Sequence, residues 1–102
     1  MQEFKRKARL HALSVMPQES VGLIVSGAYW PCKNIADNPI EDFVLDPYDY
    51  AKAMQSGTIE AVVHSHPRGT PPSELDRKAC SQTKMPWYIY IVPNDSWLTL
   101  NP

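Results

Sequence analysis

The sequence has no surplus of one charge: 10 Lys and Arg stand against 11 Asp and Glu, a formal net charge of −1 over 102 residues. Nothing global therefore draws the chain to nucleic acid or to acidic lipid. It also lacks a long apolar run. The longest, around residues 21–25, is far short of the roughly 20 residues that a spanning helix needs. The opening Met-Gln-Glu-Phe-Lys-Arg-Lys carries mixed charge instead of an apolar signal core. The two cysteines, Cys32 and Cys80, form no CxxC pair, which leaves no thiolate metal site and reads as free thiols in a reducing compartment. Repeats and low-complexity linkers are absent as well.

What is present is a hydrophobic fraction of 43% with 10% aromatics, too apolar for a disordered chain. At this length one small domain spanning residues 1–102 is expected. Phe4, Ala8, Ala12 and Met16 recur at i+4, with Leu13 beside them, and predict a helix over 2–16 that Pro17 ends. The basic residues Lys5, Arg6, Lys7 and Arg9 form its solvated face, and His11 is expected at the surface. Strands are predicted over 21–26 and 28–31 around a turn at Gly27, then a loop over 33–42 and a short strand over 43–45. Asp46 and Pro47 carry the cap and first-turn chemistry of a helix running to residue 55. Ile59, Val62 and Val63 mark the strongest strand, 58–64. A proline-rich loop over 67–72 leads to a helix over 73–84, a strand over 87–92, a turn over 93–95 and a last strand over 96–100. The three tryptophans, Trp30, Trp87 and Trp97, are expected in packing roles. The order is that of a mixed α/β fold.

One constellation carries chemistry. His64 and His66, either side of Ser65, fall on one face of a strand, because side chains alternate. Asp76 follows in the first turn of the next helix. Two imidazoles and one carboxylate leave a fourth position for water, which is the pattern of a catalytic zinc site and not of a structural one. Each residue also has a plainer reading: the histidines as a polar pair at a strand end, Ser73 and Asp76 as a helix capping box, Glu19 as a charged residue at a strand start. A His-x-His oxygenase barrel would require another histidine, and only His11 remains, in a predicted helix.

Taken together, Pro17-Gln18-Glu19-Ser20-Val21-Gly22, His64-Ser65-His66-Pro67 and Ser73-Glu74-Leu75-Asp76 resemble the signature of the JAMM, or MPN+, zinc metallopeptidases. The resemblance extends over nearly the whole chain. Nine residues separate His66 from Asp76, where the family usually has ten, and the missing one falls in the proline-rich loop. The resemblance implies a JAMM/MPN-like (cytidine-deaminase-like) three-layer fold, a bent mixed sheet flanked by helices. It implies a Zn2+ cofactor held by His64, His66 and Asp76, with Glu19 as general base and Ser73 as donor to an oxyanion. The substrate would be a peptide or isopeptide bond in a peptide or protein.

The compactness of the chain and the run from Asn34 through Phe43 to Tyr50 are more similar to the short version found in lambda-like phage tail-assembly proteins. There the domain is typically followed by a cell-wall peptidase domain. That branch implies tail proteins as partners and a place in the infected cell's cytoplasm or in the phage tail. A non-catalytic zinc-binding tail-assembly module, and a bacterial protease that trims a small carrier protein, are the other functions open to this motif.

Overall fold

The computed structural model describes residues 3–102. Helix α1 (Glu3–Ser14) is followed by strands β1 (Val21–Val25) and β2 (Ala28–Cys32), helix α2 (Pro47–Ser56), strand β3 (Ile59–His66), helix α3 (Glu74–Thr83) and strands β4 (Trp87–Ile91) and β5 (Ser96–Leu100). The five strands form one sheet in the order β2-β1-β3-β4-β5. The β3–β4 pair, joined through α3, is parallel and the other three pairs are antiparallel.

Local chemistry explains most boundaries. Ser26 and Gly27 both take positive φ, 47° and 84°, the backbone of a two-residue hairpin turn between β1 and β2. Pro31 sits on β2, an edge strand, where a missing N–H costs no ladder bond on the solvent side. Asp46 caps α2 by accepting from Tyr48 N–H at 2.9 Å, and Pro47 fills the first turn.

The sheet is covered on both faces, giving three layers. Ala8 of α1 packs with Ile24, Tyr29, Ala61 and Val63, with Phe4, Tyr88 and Trp97 at the margin. On the other face, Ala53 of α2 and Cys80 of α3 join Val21, Leu23, Val25, Val62, Trp87, Ile89 and Ile91. Both cysteines are buried and free. β3 is the central strand and supplies side chains alternately to the two layers, so its final residues, His64 and His66, project to the α2–α3 side.

Several elements differ from the sequence expectation. The first helix stops at Ser14 and not at residue 16, because Pro17 disfavours helical geometry at Met16; Gln2 lies outside the described residues. Leu13, within the helix, and Met16, beyond it, are exposed and do not extend the buried stripe. Residues 43–45 form a single bridge, Asn34 to Leu45, in place of a strand. The Asn34 side chain takes up the backbone groups that a ladder would have used. β3 runs two residues beyond its expected end, to His66, and the turn expected over 93–95 is a 3-10 turn over Val92–Asn94. Tyr88 and Tyr90 share one face of β4, and Tyr88 is half-buried while Tyr90 is enclosed. No helix among the described residues is long and apolar enough to cross a membrane.

Candidate metal centre

The β1–β3 register builds the site. Val21 stands opposite His64, and the pairing continues upstream through Ser20 and Ser65. Ser65 N–H donates to the Ser20 carbonyl at 3.1 Å, and Ser20 N–H donates to Ser65 Oγ at 2.8 Å. The serine between the two histidines thus stitches Glu19 and Ser20 to β3. Glu19 is only 8% exposed, and Glu19, His64 and His66 offer ligand atoms within 4.8 Å of one another.

The fourth member comes from α3. Ser73 and Asp76 form a reciprocal capping box: Asp76 N–H donates to Ser73 Oγ and Ser73 N–H donates to Asp76 Oδ2, each at 3.0 Å. The cap turns the Asp76 carboxylate back toward β3, with Oδ2 3.3 Å from His66 Nε2 and Oδ1 4.0 Å from His64 Nε2. The nine-residue spacing therefore brings Asp76 to both imidazoles. Ser73 Oγ accepts at the cap and keeps its own O–H to donate into the adjoining cleft. The capping reading and the site reading of these two residues hold at once.

The two histidines are held differently. His66 Nδ1 donates to the Thr70 carbonyl at 2.6 Å, which fixes the tautomer and leaves Nε2 to face Asp76. Burial lowers the His66 pKa, but Asp76 and the Thr70 carbonyl outweigh it and hold it above the ordinary histidine value. Burial likewise raises Asp76, but His66 and the Ser73 N–H bring it down to about 2.

His64 is 1% exposed, packed 4.4 Å from the Phe43 ring and edge-on to Trp87 at 5.3 Å. That burial depresses its pKa despite the neighbouring Glu19 and Asp76, so the ring is neutral. Its Nδ1 is 3.6 Å from Glu19 Oε1, beyond hydrogen-bond reach. Neither ring nitrogen has a hydrogen-bond partner among the described residues. A buried polar atom without a partner is costly, and an unpaired imidazole facing carboxylates is the donor set of a borderline-soft cation such as zinc.

A cleft of about 690 Å3 opens beside this group. One wall is the loop from Ala36 to Val44, the other is Thr70, Pro71 and the start of α3, and Trp87 forms part of the floor. Trp87 is therefore both core and cleft, and the proline-rich loop reaches the cleft through Thr70 and Pro71.

Sequence reasoning missed two participants, Asn34 and Thr70, and misplaced His11, which lies outside the site. Asn34 lies in a segment read only as loop, although an asparagine whose Oδ1 accepts from the N–H two residues on (Ala36, 3.0 Å) is a recognisable Asx turn. Thr70 contributes a carbonyl, which no residue type announces. His11 is half-buried and not at the surface, because its Nδ1 meets the Tyr29 hydroxyl at 2.6 Å.

Comparison with known proteins converges on one family. A model described as prokaryotic homologs of the JAB domain matches residues 1–100. Tail tip assembly protein K of Escherichia phage N15 is 41% identical over 97 residues, covering 90% of this chain and 40% of that protein. The protein of the same name from Escherichia phage lambda is 44% identical over 46 residues, 44% of this chain and 23% of the relative. The chain thus spans well under half the length of these relatives. The solution structure of a Desulfitobacterium hafniense protein shares the fold at a TM-score of 0.76 and 19% identity, covering 97% of this chain and 78% of that one.

Proposed function

The chain belongs to the prokaryotic JAB-domain family, and from that premise we propose that it is a zinc-dependent peptidase or isopeptidase acting in phage tail assembly, as a module of a longer tail protein. The observation that carries this reading is His64: a fully enclosed imidazole, kept neutral, with both nitrogens unpaired and a carboxylate beyond each. Nothing in the packing of an ordinary core calls for that arrangement.

In this reading His64, His66 and Asp76 hold the metal. Zinc bound there supplies a water acidified toward neutrality and a Lewis acid for the scissile carbonyl. Glu19, enclosed at the head of β1 and outside the capping network, takes the proton of the attacking water and returns it to the leaving amine. The Ser73 hydroxyl donates to the oxygen that becomes negative. The Thr70 carbonyl fixes the His66 ring, as outer partners of metal-binding histidines generally do. Phe43 and Trp87 exclude water from the back of His64. The cleft between the Ala36–Val44 loop and Pro71 takes an extended peptide. The partners are peptide or protein substrates and tail proteins, in the infected cell or the particle.

The names of the N15 and lambda relatives favour a second reading, in which the domain holds zinc but serves assembly alone. Elemental analysis tests the first step. About one zinc per chain is expected, lost in His66→Ala and kept in Glu19→Gln. No zinc in the wild type after reconstitution would overturn both readings. Infectivity separates them. A phage carrying Glu19→Gln should form few infective particles if hydrolysis is required, whereas normal titres would favour the assembly module.

A further inference from the structure

Among the described residues the Glu19 side chain has no hydrogen bond that orients it; what fixes it is its backbone. Its N–H donates to the Pro39 carbonyl at 2.8 Å, and its own carbonyl accepts from Asn34 Nδ2 at 3.0 Å. Asn34 Nδ2 also reaches the Pro39 carbonyl at 3.3 Å. Glu19, Pro39 and Asn34 therefore close a ring in which one carboxamide ties together both backbone groups of Glu19.

The same amide does more. Nδ2 donates to the Asp42 carbonyl at 2.9 Å, and Oδ1 accepts from Ala36 N–H at 3.0 Å and Val44 N–H at 3.1 Å. Two hydrogens on Nδ2 thus serve three carbonyls, and the lone pairs of Oδ1 serve two N–H groups, which saturates the amide. Flipping it would set oxygen against three carbonyls, so its orientation is determined. The segment it cinches, from Ala36 to Val44, is the cleft wall and carries Phe43, the ring stacked on His64. Asn34 lies on neither β3 nor α3 and makes no bond to His64, His66 or Asp76.

We propose that Asn34 is a positioning residue that sets Glu19 against the metal site and holds the substrate wall in register with it. This rests on the reading of Glu19 as the base beside a metal. Among side chains, Gln is a methylene too long to close the ring. Asp keeps the acceptor half of the network but turns the donor half into repulsion against three carbonyls.

That asymmetry supplies the experiment. Asn34→Asp and Asn34→Ala are compared with the wild type in full-length chain, by amide hydrogen exchange and by the visible spectrum of the cobalt-loaded protein. In Asn34→Asp, protection of the Glu19 amide should fall at least tenfold while the Ala36 and Val44 amides stay protected; in Asn34→Ala all three should open. Cobalt stoichiometry should stay at one per chain in both. The Asn34→Asp spectrum should differ from the wild type, yet adding Asn34→Asp to Glu19→Gln should change that variant's spectrum no further.

Unchanged exchange at Glu19, an unchanged cobalt spectrum, or effects that add in full on Glu19→Gln would overturn the proposal. So would failure of both variants to fold, which would make Asn34 a requirement of the fold. A wild type that binds no cobalt would instead defeat the metal reading, and the exchange pattern alone would then decide whether the clamp exists.

Discussion

On the α1 face of the sheet, His11 reaches the Tyr29 hydroxyl at 2.6 Å; on the opposite face, His64 lies enclosed with neither nitrogen bonded among the described residues. Burial lowers the pKa of both, so both are neutral imidazoles pressed against a sheet. They differ in whether their polarity is answered. The α1 face meets the ordinary rule that buried polar groups find partners. The α2–α3 face breaks it at the one place where two histidines and two carboxylates meet. Burial and perturbed pKa do not distinguish a functional histidine here, whereas unanswered hydrogen-bonding capacity does.

Replacing the unanswered ring should produce the largest effect. His64→Leu removes a ligand and should weaken zinc binding by well over about a hundredfold, more than loss of an outer partner costs. Without metal, the same substitution exchanges an unsatisfied buried polar group for an apolar one of similar size. The metal-free protein should therefore gain stability, by roughly 1–2 kcal/mol. At about 4–8 °C per kcal/mol for a domain of this size, the shift is large enough to read in a thermal melt. A metal-free variant that melts lower than the wild type would show that His64 is a satisfied core residue, and would break the comparison.

The second effect concerns acid. In the metal-free protein the His66 pKa is raised and that of His64 lowered, so His66 carries the proton that a metal must displace. Zinc affinity should fall by about tenfold per pH unit below the His66 pKa, and begin to fall above the ordinary histidine value near 6.5. The His66 share of metal-free stability should run the other way. A raised folded pKa contributes stability that is fully present below the unfolded value and is lost as pH rises through the folded one. Asp76, lowered to about 2, keeps its share above the unfolded carboxylate value and loses it only as pH falls through about 2. Competition titrations with a chromophoric chelator at pH 8, 7 and 6 should show that fall, and the difference in metal-free stability between the wild type and His66→Gln at the same pH, which separates the His66 share from the opposite shares of His11 and His64, should have the opposite slope. Parallel slopes would mean that His66 and Asp76 are not coupled.

The two faces were unequally legible in the sequence. The helices and strands could be read from caps, turns and alternation: Asp46-Pro47 and Ser73-x-x-Asp76 announce their helices, and Ile59 to Val63 announces the central strand. Glu19, His64, His66, Ser73 and Asp76 stood out as a motif, and the register and capping box bring them together. What could not be read was anything that depends on a backbone carbonyl or on loop closure. Asn34 looked like a loop residue because its five partners are all main-chain groups, one at Glu19 and four in the Ala36–Val44 loop. The short strand expected over 43–45 shrank to one bridge for the same reason, since two backbone bonds form there but the Asn34 side chain takes the Val44 N–H that would have extended the ladder. His11 was placed at the surface because helix periodicity alone does not show that Tyr29, on the neighbouring strand, lies within reach.

The smallest effect is expected at that last residue, and it should have the opposite sign. His11→Leu makes on the α1 face the same substitution as His64→Leu, but here it strands the Tyr29 hydroxyl, which is buried. An orphaned buried hydroxyl costs roughly 1–3 kcal/mol. His11 also lines a cavity of about 340 Å3 with Val15, Gln18 and Cys32. Shortening the side chain lets water approach the hydroxyl from that side, which places the loss near the lower end, about 1 kcal/mol. Zinc affinity should not change, since the His11 ring bonds Tyr29 and offers no ligand to the metal site, although it shares that cavity with Glu19. Adding Tyr29→Phe removes the stranded group, so the double variant should recover part of the loss; a thermal double-mutant cycle measures the coupling directly. Stabilisation by His64→Leu together with destabilisation by His11→Leu is what unequal satisfaction requires. The same sign at both positions would leave burial alone as the property the two histidines share, and would remove the argument that ties His64 to a metal.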